Sequence, residues 1–210
     1  GNILTEKDVA IIGFDDVITQ SIAIGLSANG PARVVQASST YALGRGVSAV
    51  DGRLYDSNSG QAQFVGNLSD CMALPGRHNH QNAAAAYAAC RALGLDPQTI
   101  MDGIRTFPGL AHRLEMVGEI DGVKFVNDSK ATNAEAAEQA LKAYKKAYWI
   151  AGGVSKAEGI QPLAPLFPNI TKAYLIGDSE ETFAATLKGK VALQTCGTLE
   201  NPVQPAFRDA

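Results

Sequence analysis

The strongest constraint on the fold is a short strand-like run that leads directly into a polar loop and a helix. Residues 123–126 read Val-Lys-Phe-Val, a pattern that favours a strand, and residues 127–133 read Asn-Asp-Ser-Lys-Ala-Thr-Asn. An Asp-Gly dipeptide at 121–122 precedes the run and favours a tight hairpin turn, because both central residues tolerate positive φ. Thr132 and Glu135 have the spacing of a capping box, which predicts that a helix begins there.

Four side chains with functional head groups lie in this loop: Asn127, Asp128, Lys130 and Thr132. They fall between the carboxyl end of a strand and the amino end of a helix, the crevice in which open α/β sheets bind ligands. Lys130 is a cation beside the positive end of the predicted helix, which costs ~0.3–1 kcal/mol unless an anion is close. That anion is either Asp128, in an ordinary solvated loop, or a bound ligand, and the loop alone does not decide between them.

The second half of the chain alternates between strand-like and helix-like segments. This order predicts an α/β fold with a parallel, doubly wound sheet. The predicted segments are a hairpin at 114–126, a helix at 133–145, a strand at 147–151, a helix or turn at 161–167, a strand at 172–176, a helix at 180–187, a strand at 191–193 and a last helix that opens at 197–200.

The first half reads as a meander of small strands followed by two helices. Continuous apolar runs predict strands, and an alanine-rich run predicts a helix that packs closely on a sheet. The predicted strands are at 8–14, 33–37, 47–50, 53–55 and 60–65, and the predicted helices are at 17–28, 83–93 and 98–105. A Pro-Gly break at 108–109 predicts a boundary, so we expect one domain over 1–110 and a second over 111–210.

Composition excludes several classes of function. The net charge is −3 and the pI is near 5.6, which argues against a nucleic-acid partner. No apolar run reaches the ~20 residues that a membrane span needs, and the amino end lacks a signal-peptide pattern. The 3 cysteines are far apart and odd in number, so we expect a reducing cytoplasm and no metal centre.

A second lysine follows a glycine pair in the second half. Gly152-Gly153 would let the backbone approach a ligand while Lys156 reaches over it. Three predicted strands end at residues 127–128, 152–153 and 177–178, and we expect these ends to be neighbours if the strands are parallel. Lys130 and Lys156 would then face one pocket and suit a di-acid or a phosphate, although an exposed loop lysine is the simpler interpretation of Lys156.

Further polar groups stand near the predicted boundary and before the alanine-rich helix. Arg113 can hold a carboxylate or phosphate in a bidentate fork, with Asp128 as its partner. His112 by itself is typical of a packed or hinge residue. Asn79 suits a helix N-cap, or Asn79 and Asn82 present two amides on one face for the edge of a heterocycle. No phosphate loop of the form G-x-x-x-x-G-K-[ST] is present in the sequence.

Several of these segments together resemble the Mur ligases, and the similarity runs from about residue 7 to residue 210. Within that family, the loop at 127–133 is similar to the branch that adds D-glutamate to UDP-N-acetylmuramoyl-L-alanine in peptidoglycan synthesis. The segments that carry the resemblance are Leu-Pro-Gly-Arg-His-Asn at 74–79, Gly-Leu-Ala-His-Arg-Leu-Glu at 109–115, the loop at 127–133, the glycine pair with Lys156, and Gly-Thr-Leu-Glu at 197–200.

The resemblance implies a fold and an activity. Residues 1–110 would be the later part of a central ATP-binding domain, and residues 111–210 would be a truncated, Rossmann-like carboxy-terminal domain that binds the amino acid. The enzyme would use ATP and Mg²⁺ to form an acyl phosphate, which the amine of D-glutamate attacks. The amino-terminal domain, the phosphate loop, a carbamylated lysine, the main Mg²⁺ ligands and the last carboxy-terminal segment would lie outside this chain, which alone would be inactive.

The resemblance also implies roles for single residues. Asn79 and Asn82 would approach adenine, and Arg113 and Asp128 would serve the nucleotide after domain closure. His112 would lie at the interdomain site and act in catalysis with Lys130. The two carboxylates of D-glutamate would be held by three residues, Lys130, Thr132 and Lys156.

The implied enzyme is a cytoplasmic monomer whose partners are the small molecules UDP-N-acetylmuramoyl-L-alanine, D-glutamate and ATP, with no nucleic acid and no membrane. The prolines at 202 and 205 are expected to break the last helix. Two alternatives remain: a non-catalytic module that binds D-glutamate or a nucleotide, and a Rossmann oxidoreductase. The second alternative is disfavoured because no G-x-G-x-x-G follows a strand.

Overall fold

The computed structural model describes residues 3–154 and 159–210. The chain forms two compact units, Gly1–Pro108 and Gly109–Ala210, which we call unit 1 and unit 2. Each unit has its own sheet and its own hydrophobic core. Among the described residues, none of the helices combines the length and the apolar character that a bilayer crossing requires.

Unit 1 contains a five-stranded sheet whose spatial order follows the sequence. The first two pairs of neighbours are parallel and the last two are antiparallel. A hairpin turn at Asp51-Gly52, where both residues have positive φ, joins the third strand to the fourth. The strands are β1 (Val9–Gly13), β2 (Arg33–Ser38), β3 (Val47–Val50), β4 (Arg53–Asp56) and β5 (Gln63–Asn67).

Three helices accompany this sheet: α1 (Val17–Asn29), α2 (Arg77–Ala92) and α3 (Pro97–Thr106). Helix α2 buries small side chains and one aromatic ring in the core of unit 1, as the alanine-rich run predicts. Its start was predicted at residue 83, which is wrong, because the helix begins at Arg77. The segment at 77–82 is polar and lacks the apolar periodicity that would identify it as helical. It is nevertheless the first part of the helix, since the Gly76 carbonyl accepts the backbone N–H groups of Asn79 and His80.

Unit 2 contains an antiparallel hairpin and a separate three-stranded parallel sheet. The hairpin strands are β6 (Glu115–Ile120) and β7 (Val123–Asn127), and the parallel strands are β8 (Ala147–Gly152), β9 (Ile170–Ile176) and β10 (Ala192–Gly197). The helices are α4 (Ala134–Ala143), α5 (Glu180–Leu187) and α6 (Glu200–Asp209), with a 3₁₀ helix over Gln161–Asn169. The prediction of an α/β fold with a parallel sheet is confirmed.

The turn between β6 and β7 forms as its sequence predicts. Asp121 has φ of 51° and Gly122 has φ of 82°, the left-handed conformations that a two-residue turn of this type requires at both positions. Ile120 pairs with Val123 across the turn. The register then shifts by one residue between Met116 and Gly118, which brings Glu115 opposite Asn127, so the turn and this irregularity together determine which polar residues meet at the open end of the hairpin.

The prediction that two prolines break the last helix is wrong. Pro202 lies in the first turn of α6, where a missing N–H costs little, and its side chain is buried. Pro205 lies inside the helix, which nevertheless continues to Asp209. Burial of Pro202 and Ala206 and an ion pair between Lys172 and Asp209, with Nζ and Oδ2 2.6 Å apart, hold the helix on unit 2. Tertiary packing therefore outweighs the local cost of proline.

Candidate functional site

The candidate site in unit 2 is built from two loops at the open end of the β6–β7 hairpin. One loop precedes β6 and contains His112, and the other follows β7 and contains the polar segment 127–133. His112 has φ of 65° and Leu114 has φ of 46°, so two non-glycine residues adopt the left-handed conformation within three positions. Such strain costs roughly 1–2 kcal/mol per residue and persists where surrounding contacts hold it.

Asn127 is the centre of the contacts between these loops. Its Nδ2 lies 2.9 Å from Nδ1 of His112 and 3.2 Å from Oε2 of Glu115. Its Oδ1 accepts a hydrogen bond from the backbone N–H of Ser129, with a distance of 3.1 Å. The same Oε2 of Glu115 also accepts the backbone N–H of His112 at 2.8 Å. One amide and one carboxylate therefore fix the strained histidine.

Asp128 holds the second strained position. Its Oδ1 accepts the backbone N–H of Leu114 at 3.0 Å, and its carbonyl accepts the N–H of Ala131 at 2.8 Å. The backbone N–H of Lys130 donates to the carbonyl of His112 at 3.0 Å. Burial and then the negative charge of Asp128 raise the pKa of the Tyr144 hydroxyl. The structure thus joins the loop at 112–114 to the loop at 127–133 through the carboxylate of Asp128 and the backbones of His112 and Lys130.

Lys130 and Thr132 present their side chains to solvent from this fixed loop. Within residues 3–154 and 159–210, the Lys130 ammonium takes part in no ion pair. The predicted capping box at Thr132 is wrong, because Asn133 is the N-cap of α4 and its Oδ1 accepts the N–H of Ala136 at 2.8 Å. Thr132 is consequently released from helix capping, and its hydroxyl remains available to a ligand.

Arg113 is exposed, between the two strained residues. No ion pair joins Arg113 and Asp128 in the part of the chain that the structure describes, and the role of Asp128 as a partner of Arg113 stays a prediction. One oxygen of Asp128 receives the N–H of Leu114. Among the described residues Arg113 takes part in no ion pair, and its exposed side chain is open to an anionic ligand.

The predicted meeting of three strand ends is only partly confirmed. The ends of β8 and β9 are neighbours, since the N–H of Gly153 donates to the carbonyl of Ile176 at 3.1 Å. Strand β7 pairs with β6 and is not a member of the parallel sheet. Lys156 lies outside the described residues, so its predicted position opposite Lys130 stays a prediction.

The glycine pair has a structural cause that the sequence interpretation missed. A Cβ on Gly152 would lie 1.8 Å from the carbonyl oxygen of Ile176, and the residue has φ of 153°. Only glycine fits this close approach between β8 and β9. The next carbonyl, that of Gly153, accepts both the N–H of Ser179 at 2.9 Å and its hydroxyl at 2.6 Å. Close packing of two strands therefore explains Gly152 without a ligand.

In unit 1, Asn79 and Asn82 both lie in the first turns of α2, spaced by three residues. The N-cap interpretation of Asn79 is wrong, because Gly76 occupies that position and Asn79 is already helical. The Nδ2 of Asn79 donates to the carbonyl of Pro75 at 2.8 Å, and the side chain of Asn82 is exposed. Their proposed contact with a heterocycle stays a prediction.

A carboxylate cluster in unit 1 was not predicted. Asp15 follows β1, and its two oxygens accept hydrogen bonds from the hydroxyls of Ser38 at 2.5 Å and Ser39 at 2.6 Å. The backbone N–H groups of Ser39 and Thr40 also donate to it, at 2.9 and 3.2 Å. Burial would raise the pKa of Asp15, but these hydrogen bonds outweigh it and lower the pKa below its ordinary value. Arg77 donates to the hydroxyl of Thr40 beside the cluster.

Sequence signals for these unpredicted residues existed but were weak. Asp15 and the Ser-Ser-Thr segment at 38–40 each follow a predicted strand, and neighbouring parallel strands bring such ends together. Glu115 and Asn127 are opposite each other only because the register of the hairpin shifts by one residue between Met116 and Gly118. Counting residues outward from the two-residue turn would have paired Asn127 with Met116, so the turn alone does not reveal the contact with Glu115.

Two further features of the described residues bear on ligands. No group of three or more His, Cys, Asp and Glu side chains is arranged there to hold a metal ion. A surface cavity of about 350 Å³ lies at the β4–β5 pair and is lined by Arg53, Tyr55, Phe64 and Asn67. None of the predicted site residues lines this cavity.

Comparison with known proteins matches residues 112–209 to the family described as Mur ligase, glutamate ligase domain. A relative from Caulobacter vibrioides, named UDP-N-acetylmuramoylalanine–D-glutamate ligase, is 54% identical over 203 residues, which are 97% of this chain and 43% of the relative. A relative of the same name from Rhodospirillum rubrum is 50% identical over 207 residues, 96% of this chain and 43% of the relative. The chain thus spans less than half the length of these relatives.

Solved structures give the same fold at lower identity. The UDP-N-acetylmuramoylalanyl-D-glutamyl-2,6-diaminopimelate–D-alanyl-D-alanyl ligase of Acinetobacter baumannii has a TM-score of 0.56 at 20% identity, over 96% of this chain and 50% of that chain. The UDP-N-acetylmuramate-alanine ligase of Thermotoga maritima has a TM-score of 0.56 at 15% identity, over 80% of this chain and 41% of that chain. At these identities the likeness shows the fold alone.

Proposed function

Because the chain belongs to the Mur ligase family, with the glutamate ligase domain at residues 112–209, we propose that it is part of an ATP-dependent ligase. The reaction would join D-glutamate to UDP-N-acetylmuramoyl-L-alanine in peptidoglycan synthesis. The observation that carries the proposal is the set of relatives that are named for this reaction, at 54% and 50% identity across nearly the whole chain. This similarity extends over both units.

The chemistry of the proposed reaction has two steps. The terminal carboxylate of UDP-N-acetylmuramoyl-L-alanine attacks the γ-phosphorus of ATP, so that an acyl phosphate forms and ADP leaves. The amine of D-glutamate then attacks the acyl carbon, its nitrogen loses a proton to solvent as the amide forms, and phosphate departs with the bonding electrons of the C–O bond. The chain would contribute the amino acid site and part of the nucleotide site to this sequence.

D-glutamate would bind at the loop that follows β7. Lys130 and Thr132 offer an ammonium and a hydroxyl from a backbone that Asp128 and His112 hold in place. A dicarboxylate suits this loop because an unpaired cation beside the amino end of α4 is stabilised by a bound anion. Lys156, outside the described residues, is proposed as the second cation. In catalysis, Lys130 and His112 would stabilise the negative charge that develops on the reacting oxygens.

Four residues are proposed for the nucleotide, as the family resemblance implies. We propose that Asn79 and Asn82 present amides to the adenine edge, and that Arg113 and Asp128 serve the nucleotide. The described residues contain no group of three or more His, Cys, Asp and Glu side chains that could hold the Mg²⁺ that the family resemblance implies. The enzyme would act in the cytoplasm as a monomer.

A non-catalytic module for D-glutamate or a nucleotide is the competing function. Such a module would use the same binding residues as the ligase. It differs in that a longer protein containing this chain would then catalyse no ligation. The decisive assay therefore measures phosphate release by that longer protein with ATP, UDP-N-acetylmuramoyl-L-alanine and D-glutamate. We expect release that requires all three substrates, whereas the 210-residue chain alone releases none.

Two lysine variants distinguish the loss of the amino acid site from a general loss of folded protein. Lys130→Ala in the longer protein should lower kcat/KM for D-glutamate roughly 10- to 100-fold, the value of a charged hydrogen bond. Lys124→Ala is the control, because Lys124 is also an exposed lysine of unit 2 but lies within β7, ahead of the loop that contains Lys130. Release without D-glutamate, or an equal loss in both variants, would refute the proposed role of the loop.

A further inference from the structure

We infer that Asn127 is a positioning residue that holds His112 as the neutral tautomer with its proton on Nε2, so that the ring presents a hydrogen-bond donor. The inference begins with the orientation of the Asn127 amide. A backbone N–H can only donate, so the atom that faces Ser129 at 3.1 Å is the amide oxygen. The other atom, 3.2 Å from the Glu115 carboxylate, is then the NH₂ group.

The histidine tautomer follows from that orientation. Nδ1 of His112 lies 2.9 Å from the Asn127 NH₂ group, which has two protons and no lone pair to offer. One proton is directed to Glu115 and the other to His112. Nδ1 must therefore carry a lone pair, and the single proton of the neutral ring must be on Nε2.

The backbone of His112 is held by the same residues. Glu115 accepts its N–H at 2.8 Å, and its carbonyl accepts the N–H of Lys130 at 3.0 Å. Together with the ring contact to Asn127, these bonds restrain the residue at three points and maintain its φ of 65°. Strained residues that are held in this way cluster at functional sites, where the strain fixes the direction of a side chain.

The consequence for the proposed ligase concerns the direction of proton transfer. A ring with its proton on Nε2 can donate to an anionic oxygen, such as one on a carboxylate or phosphoryl group. It cannot take a proton from the amine of the incoming amino acid at that nitrogen. The use of this donor in a ligase reaction rests on the proposed function, whereas the tautomer itself does not.

The test reads the tautomer directly by NMR of the chain with ¹⁵N-labelled histidine. The chain has 3 histidines, so the ring signals of His78, His80 and His112 can be assigned by substitution. At pH 8, where an ordinary imidazole is neutral, we expect His112 to show a pyridine-type Nδ1 and a pyrrole-type Nε2. Averaged signals, or the reverse assignment, in the unmodified chain would overturn the inference.

Variants show whether Asn127 is the cause. Asn127→Leu keeps the side-chain size but removes both donors, so the two His112 nitrogen signals should move towards a common average. Glu115→Gln retains an oxygen that accepts both N–H groups, and it should preserve the single tautomer. Asn133→Leu is the control: it removes the cap of α4 without touching His112 and should leave the ring signals unchanged.

The readout also separates this inference from the proposed function. A single Nε2–H tautomer that is lost only in Asn127→Leu supports the inference, whether or not D-glutamate binds. A tautomer that survives in Asn127→Leu overturns it, even if the ligase activity is found. Amide spectra of each variant establish that the fold is retained.

Discussion

Units 1 and 2 each place carboxylates at strand ends, but they use them differently. In unit 1, Asp15 after β1 receives donors from Ser38, the last residue of β2, and from Ser39 and Thr40 after it, and so joins the ends of two neighbouring strands. In unit 2, Glu115 and Asp128 receive backbone N–H groups from the loop at 112–114, at the open end of one hairpin. The first arrangement joins distant segments, and the second shapes a local loop.

This difference separates the groups that hold the structure from the groups that face solvent. Ser38 and Ser39 are buried, and both of their hydroxyls donate hydrogen bonds to Asp15. Around the hairpin, Asn127, Glu115 and Asp128 hold the backbone, while Arg113, Lys130 and Thr132 remain exposed. Substitutions in the unit 1 cluster should therefore change stability, and substitutions of the exposed unit 2 side chains should change binding alone.

The largest effect on stability is expected in the parallel sheet of unit 2, at Gly152. Gly152→Ala would place a methyl group 1.8 Å from the Ile176 carbonyl oxygen at an unfavourable φ. We expect a loss of about 3 kcal/mol in the free energy of unfolding. Fluorescence of Trp149, the single tryptophan and a residue of β8, measures this in urea. Gly118→Ala is the control because its Cβ would meet no atom within 4 Å, and equal losses would contradict the explanation.

Asp15→Ala should have the next largest effect, and in unit 1. Removing the carboxylate leaves the Ser38 and Ser39 hydroxyls without the acceptor for their protons, which we expect to cost about 2 kcal/mol after allowance for partial exposure. Hydrogen exchange at the amides of β1 and β2 measures the loss. Asp70→Ala, at an exposed acid of the same unit, is the control and should change exchange little. Unchanged protection of β1 and β2 in Asp15→Ala would show that the cluster is not structural.

The same cluster predicts a dependence of stability on pH. The pKa of Asp15 is lower in the folded state than its ordinary value, because hydrogen bonds outweigh burial. Its contribution is therefore fully present above the ordinary aspartate pKa of about 4 and is lost as the pH falls through the folded pKa. Asp15→Asn should lose this part of the acid dependence in β1 and β2. An identical acid profile in Asp15→Asn and the unmodified chain would contradict it.

The local patterns of the sequence predicted much of the fold. The Asp-Gly turn at 121–122, the apolar strands of unit 2 and the alanine-rich helix all depend on near neighbours, and all three form. The cluster of Asp15 joins residues more than twenty positions apart, and no local pattern reveals such partners. The helix cap was misplaced because Thr132 and Asn133 are both suitable caps, and propensity alone does not choose between adjacent candidates.

A smaller effect is expected at α6, whose prolines suggested a break. The Asp209 carboxylate accepts hydrogen bonds from the Lys172 ammonium at 2.6 Å and from the Tyr174 hydroxyl at 2.5 Å. Asp209→Ala should therefore speed hydrogen exchange in the last turn of α6 and leave β8 and β9 protected. Asp178→Ala, an exposed acid of the same unit, is the control. Equal exchange in α6 for both variants would assign its stability to packing of Pro202 and Ala206 alone.

The smallest effect on stability is expected at the exposed side chains of the loop. Lys130→Ala and Thr132→Ala remove exposed side chains that take part in no ion pair among the described residues of unit 2, so each should change the free energy of unfolding by less than about 0.5 kcal/mol. Urea unfolding followed by Trp149 fluorescence checks this. A loss comparable to that of Gly152→Ala would mean that the loop is part of the framework, and the contrast between the units would fail.

The central claim is that the loop at 127–133 is a fixed frame from which Lys130 and Thr132 meet a small dicarboxylate. Titration of the ¹⁵N-labelled chain with D-glutamate, followed at the backbone amides, tests it most directly. We predict saturable shifts confined to unit 2 and centred on residues 127–134, weaker with L-glutamate, abolished in Lys130→Ala and retained in Lys124→Ala. Shifts elsewhere, or shifts that persist unchanged in Lys130→Ala, would contradict the claim.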